Sequence, residues 1–391
     1  MFFLVLLLLS SIGFIATDIY LPSLPFIVRD FAITKTLVQL TLASYLLSFG
    51  LSQLYYGALS EKIGRKKTVG YGLFLMLIGS ITCIFSPSIT FLIIGRFIEG
   101  AGLGATASIF KAILRDVYKG DDLSQKGSYV AVCTAIGMSA APAIGGYIQY
   151  YLDWRFNFVF ISIYTVLLLI LVYFFLGETH KAMNPKAIKW SNLIEKYMRL
   201  IRSPIFMGYT GCGTLTFGGL TAYLTVSPFL FQNVLGLTSV EYGWLAIFIS
   251  IGLGFGGVAN SFFVKKVGRH QLLKIGTLIQ GIAGVLMLAL SLIGKMNVTV
   301  IMVPMLIYMF GAGFVFTNAF AGAFHFFSSI AGYAGALYGT IQVFGGTVFA
   351  VIMSFVYSRT QIHLAIALIV VGALNFFLQK MGHKFTLECE K

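Results

Sequence analysis

The stretch GALSEKIGRKK, residues 57–67, is a short basic turn between two long apolar segments. Its centre recurs 204 residues further on, where Lys266-Val-Gly268-Arg269 repeats Lys62-Ile-Gly64-Arg65. Both copies lie between the second and third apolar segments of their half of the chain. Two glycine pairs keep the same spacing: Gly50 with Gly254 and Gly72 with Gly276. The repeat therefore predicts two halves that are built on one plan and related by parallel duplication.

The composition predicts that both halves lie in a membrane. The chain has 391 residues, of which 58% are hydrophobic and 10% are charged, and its mean hydropathy is +0.90. Soluble domains carry roughly 25% charged residues. A helix needs about 20 apolar residues to cross a bilayer, and twelve such runs occur, at residues 2–24, 37–59, 68–86, 90–113, 126–149, 156–177, 204–227, 241–263, 271–294, 298–321, 330–354 and 360–380. The predicted fold class is an all-α integral membrane protein with twelve transmembrane helices in two pseudo-symmetric six-helix bundles.

The charge distribution predicts the topology. The formal net charge is +14, but the basic residues lie in short loops rather than on one soluble face, so nucleic-acid binding is not indicated. With a cytoplasmic N-terminus, 21 of the 27 Lys and Arg fall in inner loops or the C-terminal tail. The positive-inside rule then predicts that both termini are cytoplasmic.

The longest connection divides the chain. Residues 178–203 are predicted to be a cytoplasmic linker, either a hinge or an amphipathic helix on the inner leaflet with Trp190 at the interface. This linker separates an N-terminal six-helix bundle, residues 1–177, from a C-terminal six-helix bundle with a short tail, residues 204–391.

Several function classes lack their usual residues. The first apolar run has no basic leader and no convincing cleavage site, so we expect a retained helix rather than a signal peptide. Four scattered cysteines, Cys83, Cys133, Cys212 and Cys389, have no metal-ligand spacing and are predicted to be free packing thiols. Five dispersed histidines and the lack of a P-loop argue against an enzyme and an ATP-driven pump. We expect no cofactor and no metal, while a channel or receptor stays open.

Two motifs resemble those of one transporter family. Residues 57–67 are similar to the family's loop between the second and third helices, with Glu61 where Asp is usual. Residues 137–146 are similar to its antiporter motif GxxxGPxxGG, with Ala141 in place of Gly.

Two further motifs narrow the branch. Asp18 with Tyr20, Pro22 and Pro25 resembles the first-helix signature of the drug-exporting branch, and residues 96–100, RFIEG, resemble RxxQG of the fourth helix, with Glu99 for Gln. The chain thus resembles the major facilitator superfamily, and within it the twelve-span drug/proton antiporters of the bicyclomycin-resistance type. The resemblance implies the major facilitator fold, a bacterial inner-membrane location and a monomer, with a small-molecule substrate and protons as partners beside the lipid bilayer.

Charged residues inside the spans are the candidates for proton coupling. Sixteen residues of the first run precede Asp18, about 24 Å of helix, so its carboxyl group is expected past mid-depth, where burial favours the neutral form. The alternative is a solvated residue that ends the helix before Pro22. Arg96 and Glu99 share one helix face, either as a static ion pair or as a movable counter-charge that tunes the acids. The predicted proton-coupling residues are Asp18, Glu99 and Arg96.

The resemblance also implies a substrate cavity and a conformational gate. The expected cavity residues are Asp18, Tyr45, Phe49, Met138, Tyr223, Phe314, Asn318 and Gln342, although ordinary packing is an open alternative for each. Aromatic faces attract lipophilic cations and Met adapts to different shapes. The expected gate residues are Gly57, Glu61, Gly64, Arg65, Arg115, Gly137, Pro142, Gly145 and Gly146. Glu61 is expected to cap a helix N-terminus of the other half, and the glycines of the fifth helix allow close packing, either static or at the interface between the halves.

The predicted function is proton-coupled export of small lipophilic or cationic compounds by alternating-access antiport. The alternatives are a dedicated exporter of one endogenous metabolite, such as a siderophore-like compound or an amino-acid derivative, and a proton-coupled nutrient importer.

Overall fold

The computed structural model describes residues 1–180, 183, 190–294, 296–327, 330–356 and 360–389. Part of the predicted linker, residues 181–182 and 184–189, lies outside the described residues, and so do the side chains of Trp190 and Cys389. Cys83, Cys133 and Cys212 are free thiols, as predicted.

The described chain is built from helices that follow its apolar runs. In chain order these are α1 (Phe2–Asp18), α2 (Leu24–Asp30), α3 (Lys35–Ile63), α4 (Arg65–Ile84), α5 (Ile89–Val117), α6 (Gly120–Tyr151), α7 (Arg155–Phe175), α8 (Trp190–Ile201), α9 (Pro204–Phe229), α10 (Ser239–Val267), α11 (Arg269–Leu292), α12 (Val298–Phe324), α13 (Ala331–Phe355) and α14 (Ile362–Cys389). Within the described residues, twelve helical segments are long and apolar enough to cross a membrane, with α1 and α2 together forming the first and the short α8 forming none. Each overlaps one predicted run, so the twelve-helix prediction is confirmed.

The helices form two compact units. The first comprises Met1–Lys196 with the short segments Thr238–Trp244 and Gly335–Thr340, and the second comprises Tyr197–Leu237, Leu245–Ala334 and Ile341–Lys391. The predicted division at residues 178–203 stays a prediction.

The repeated turn has the same backbone geometry in both copies. Gly64 separates α3 from α4 with φ +98° and ψ 158°, and Gly268 separates α10 from α11 with φ +86° and ψ 149°. A positive φ at this position favours glycine, because a Cβ would clash with the backbone there. The matching glycines therefore make the same sharp connection in each half.

The first span is broken where its acid lies. Helix α1 ends at Asp18, a 3-10 turn follows at Leu21–Ser23, and α2 begins at Leu24. Pro22 has no N–H group, so the Asp18 carbonyl four residues earlier cannot receive its helical hydrogen bond. The predicted run 2–24 is thus interrupted, and Asp18 occupies the C-terminal end of a helix.

Candidate functional site

Helix α5 carries a buried ion pair in the first unit. Arg96 and Glu99 are three residues apart and lie on one face, with Arg96 Nη1 2.7 Å from Glu99 Oε2. Both side chains are 0% exposed. Removing one partner of such a buried pair strongly destabilises the protein, because the other charge is then left uncompensated.

Two tyrosine rings flank the Arg96 guanidinium. Its central carbon lies 4.2 Å from the ring centre of Tyr20 and 3.9 Å from that of Tyr45. The Tyr45 hydroxyl in turn accepts a hydrogen bond from Thr17. A cation held over aromatic faces gains more when both are desolvated. The tyrosines therefore stabilise the guanidinium where water does not reach it.

The break in the first span brings Asp18 to this cluster. Arg96 Nη1 also donates to the carbonyl oxygen of Ala16 at 3.0 Å, and its guanidinium lies close enough to Asp18 to act on that carboxyl group electrostatically. Asp18 is 5% exposed. Asp18 Oδ1 has no hydrogen-bond partner among the described residues, and neither have Arg96 Nε and Nη2. The cluster thus holds one unused acceptor, on Asp18, and two unused donors, on Arg96.

Glu99 is held on its other side by α4. Its Oε1 accepts a hydrogen bond from Ser80 Oγ at 3.1 Å. The two helices approach closely because Gly79 lies against the backbone of Glu99, where a Cβ would collide with it. Ser80 and Tyr20 were not predicted as part of the proton-coupling cluster, because a hydroxyl in an apolar run carries little local signal.

The predicted cavity residues divide between the two units. In the first unit, Tyr45 packs 6.4 Å from Phe49 by ring centres, and its face is occupied by Arg96. Met138 on α6 is buried. Their placement on α3 and α6 is compatible with a cavity, and a role in substrate binding stays a prediction.

The other predicted cavity residues belong to the second unit. The Tyr223 hydroxyl lies 3.5 Å from Met302 Sδ. Asn318 Nδ2 donates to Asn260 Oδ1 at 2.5 Å. Phe314 is buried and Gln342 is partly exposed. The contacts of Tyr223 and Asn318 are those of packed side chains, so their binding role also stays a prediction.

The basic turn is held by two acids of the first unit, Asp116 in the last turn of α5 and Glu178 after α7. Arg65 Nε lies 3.2 Å from Asp116 Oδ2, and its Nη1 donates to Ser60 Oγ. The backbone N–H groups of Arg65 and Lys66 donate to the two carboxylate oxygens of Glu178, at 2.8 and 3.2 Å.

Glu178 therefore caps the N-terminus of α4, where a carboxylate is favourable. Its role was not predicted, although its position as an acid at the start of a basic linker could have indicated it. Glu61 is partly exposed and Arg115 is exposed. The gating role of both stays a prediction.

The small residues of α6 pack closely against neighbouring segments, and their gating role stays a prediction. A Cβ at Gly145 would collide with the carbonyl oxygen of Ile19, and one at Gly137 would press on Ser11. The Gly146 carbonyl accepts a hydrogen bond from Ser239 Oγ at 3.0 Å. Pro142 lies inside the helix, while the nearest atom to a Cβ at Gly57 is the Ala336 Cβ at 3.9 Å. Gly145 therefore fixes the backbone next to Asp18.

The second unit contains a buried cluster without charge. Asn375 Nδ2 donates to Thr216 Oγ1 at 3.0 Å and to Gln280 Oε1 at 3.1 Å. The Tyr308 hydroxyl donates to the carbonyl oxygen of Thr216 at 2.9 Å. These four side chains come from α9, α11, α12 and α14, so the cluster joins four helices. Among the described residues, no group of three or more His, Cys, Asp or Glu could hold a metal ion.

Comparison with known proteins finds relatives that match nearly the whole chain. The transporter YdgK of Bacillus subtilis, an uncharacterized MFS-type protein, is 29% identical over 382 residues, which cover 95% of this chain and 93% of the relative. Multidrug resistance protein D of Escherichia coli is 28% identical, with coverage of 95% and 93%. A bicyclomycin resistance protein homolog of Haemophilus influenzae is 27% identical, with coverage of 89% and 87%. The resemblance drawn from the motifs is confirmed.

Solved structures show the same fold. A D-xylose-proton symporter superposes with a TM-score of 0.76 at 16% identity. The superposition covers 98% of this chain and 97% of the symporter chain. The family model described as Major Facilitator Superfamily matches residues 6–350. The predicted fold class is therefore confirmed, and the chain belongs to the Major Facilitator Superfamily.

Proposed function

We propose that this protein exports small lipophilic or cationic compounds in exchange for protons, by alternating access. One observation carries the proposal: Asp18, a carboxyl group nearly removed from water, has an unpartnered oxygen beside the buried Arg96. Intramembrane acids of this kind mark proton relays and substrate paths. The names of the relatives, which include a multidrug resistance protein and a bicyclomycin resistance protein homolog, support export of foreign compounds.

The proposed coupling depends on the two charge states of Asp18. Ionised Asp18 attracts a cationic or polar compound from the cytoplasmic side. After the change of access, a proton binds to the carboxylate, the attraction is lost and the compound leaves. A ligand shifts such an equilibrium only as far as its affinity differs between the two states. The proton supplies that difference, because it and the compound compete for one acid.

The remaining predicted residues take supporting roles in this scheme. We place substrate contacts at Asp18, Tyr45, Phe49, Met138, Tyr223, Phe314, Asn318 and Gln342. The turn at Gly64 and Arg65 and the close-packed face of α6 act as conformational elements rather than binding groups. The chain is a multi-pass membrane protein. Its bacterial relatives support an inner-membrane location, and its charge distribution supports cytoplasmic termini. We propose a monomer that needs no cofactor and catalyses no covalent reaction.

The decisive experiment measures proton movement that depends on substrate. Purified protein is reconstituted in liposomes that contain a pH-sensitive dye, and tetraphenylphosphonium and chloramphenicol are tested as a cationic and a neutral probe. We expect proton exchange by the wild type with at least one probe, and its loss in Asp18→Asn. Asp122→Asn, which removes an exposed acid of α6, is the matched control and should behave as the wild type. Unchanged exchange by Asp18→Asn would contradict the proposal.

A further inference from the structure

The buried cluster contains two acids and one arginine, and the two acids differ in the hydrogen bonds that their oxygens accept. Glu99 is fully buried and both of its oxygens accept a bond, Oε2 from Arg96 and Oε1 from Ser80. Asp18 Oδ1 has no partner among the described residues. The signature that this segment resembles has Gln where this chain has Glu99. The second acid is thus a departure of this chain from that pattern and needs its own explanation.

We propose that Glu99 is a fixed anionic partner of Arg96, and that Asp18 alone carries the exchanged proton. The inference rests on the proposed proton exchange and assigns separate roles within it. A guanidinium is not deprotonated in proteins, so an ionised Glu99 makes the pair neutral. Protonation of Glu99 would leave a buried cation without the anion bonded to it, which is the unfavourable way to disrupt a buried pair. Glu99 is therefore a positioning residue that acts through Arg96.

The surroundings of the pair favour a permanent charge over a titrating one. Gly79 packs against the Glu99 backbone, and the two tyrosine rings cover the guanidinium. Besides Asp18 and Glu99, the titratable groups that act on Arg96 are Tyr20, Tyr45 and Cys83. Tyrosine and cysteine are ordinarily neutral at pH 7. Among the groups that act on Arg96, only the two carboxyl groups can therefore change their charge near neutral pH.

This assignment sets the charge of the site. When Arg96 and Glu99 cancel, the cluster carries one negative charge with Asp18 ionised and none with Asp18 protonated. One O–H bond forms on the Asp18 carboxylate on the side where the proton enters and breaks on the other side. One proton is therefore exchanged in each cycle. Exchange for a singly charged cation moves no net charge, whereas exchange for a neutral compound moves one.

Infrared difference spectroscopy of the purified protein tests the assignment without a known substrate. The carbonyl stretch of a protonated carboxyl group is recorded as the pH is lowered, for the wild type, Asp18→Asn, Glu99→Gln and Asp122→Asn. We expect one buried-carboxyl band, absent in Asp18→Asn and present in Glu99→Gln. In Glu99→Gln its midpoint should move toward acid by about 1 to 3 pH units, because the uncompensated Arg96 charge then favours the ionised form of Asp18. Asp122→Asn removes an exposed acid outside the cluster and should leave the midpoint unchanged.

A band that Glu99→Gln removes, or a second band that persists in Asp18→Asn, would overturn the inference. If Glu99→Gln does not give a monodisperse protein, the wild type and Asp18→Asn decide alone: a residual titrating band contradicts the inference and its complete loss supports it. Failure of the proposed function has a different signature, since Asp18→Asn would then still exchange protons in liposomes.

Discussion

The two units contain buried polar clusters in similar places but with different electrical character. In the first unit, Arg96 of the fourth spanning helix donates to the carbonyl oxygen of Ala16 in the first, at 3.0 Å. In the second unit, Tyr308 of that unit's fourth spanning helix donates to the carbonyl oxygen of Thr216 in its first, at 2.9 Å. A cation makes this helix-to-helix bond in one unit and a neutral hydroxyl makes it in the other.

Close glycine contacts show which helix positions correspond between the two units. A Cβ at Gly72 would meet the carbonyl oxygen of Gly102, and one at Gly276 would meet that of Gly311. Gly311 lies 209 residues after Gly102, and the same interval pairs Arg96 with Met305 and Glu99 with Tyr308. Duplication thus preserved the packing of the helices while their buried chemistry diverged.

The difference separates two uses of buried polarity. The Thr216, Gln280 and Asn375 side chains bond to one another without any group that titrates near neutral pH, so their bonds persist across that range. The first cluster can change its charge because it contains carboxyl groups. We therefore expect pH to act on transport through the first unit, while the second keeps a pH-independent arrangement.

Removal of Arg96 should give the largest effect. Arg96→Met leaves Glu99 as an uncompensated buried anion, and the free energy of unfolding should fall by about 3 to 5 kcal/mol. Thermal unfolding in detergent measures the change. In the double variant Arg96→Met/Glu99→Leu, stability should return, because no buried charge is then left without its partner. A single variant as stable as the wild type would show that the ion pair is not the electrostatic centre of the first unit.

The uncharged cluster should respond in stability but not in pH dependence. Asn375→Leu removes the donor to Thr216 Oγ1 and Gln280 Oε1, and should lower the free energy of unfolding by about 1 to 3 kcal/mol. The pH at which transport is half-maximal should equal that of the wild type, because no titrating group is touched. A displaced pH profile in liposomes would remove the proposed division of roles between the units.

Two glycine substitutions should give the smallest effects and sharpen the comparison. In Gly145→Ala the Cβ presses on the Ile19 carbonyl next to Asp18, and an overpacking penalty of about 1 to 3 kcal/mol is partly offset by about 1 kcal/mol of helix propensity. We expect an altered pH profile of transport. Gly219→Ala presses on the Tyr308 hydroxyl in the second unit and should lower stability without altering that profile.

Gly127→Ala on the same helix α6 is the matched control, because nothing lies within 4 Å of its added Cβ. It should match or slightly exceed the wild type in thermal stability. Equal pH profiles for Gly145→Ala and Gly127→Ala would indicate that the backbone beside Asp18 does not tune its protonation.

The sequence by itself determined the spans, the repeat and the charged members of the cluster. The length of an apolar run follows from bilayer thickness, so the twelve helices could be predicted from the local sequence. A carboxylate such as Asp18 within such a run is conspicuous because a charge inside the membrane is costly. The repeat likewise predicted that Gly64 and Gly268 are equivalent, and the structure gives both a positive φ.

Only the tertiary structure decided which atoms these residues contact. Arg96 meets the Ala16 carbonyl across 80 residues of chain, and Glu178 caps α4 across 113. Ser80 and Tyr20 join the cluster because separate helices pack together. The break in the first span places Asp18 at the end of α1. Hydrogen bonds require donor–acceptor distances within a few tenths of an ångström and nearly straight angles. This geometry arises when helices pack and is not encoded in any local pattern.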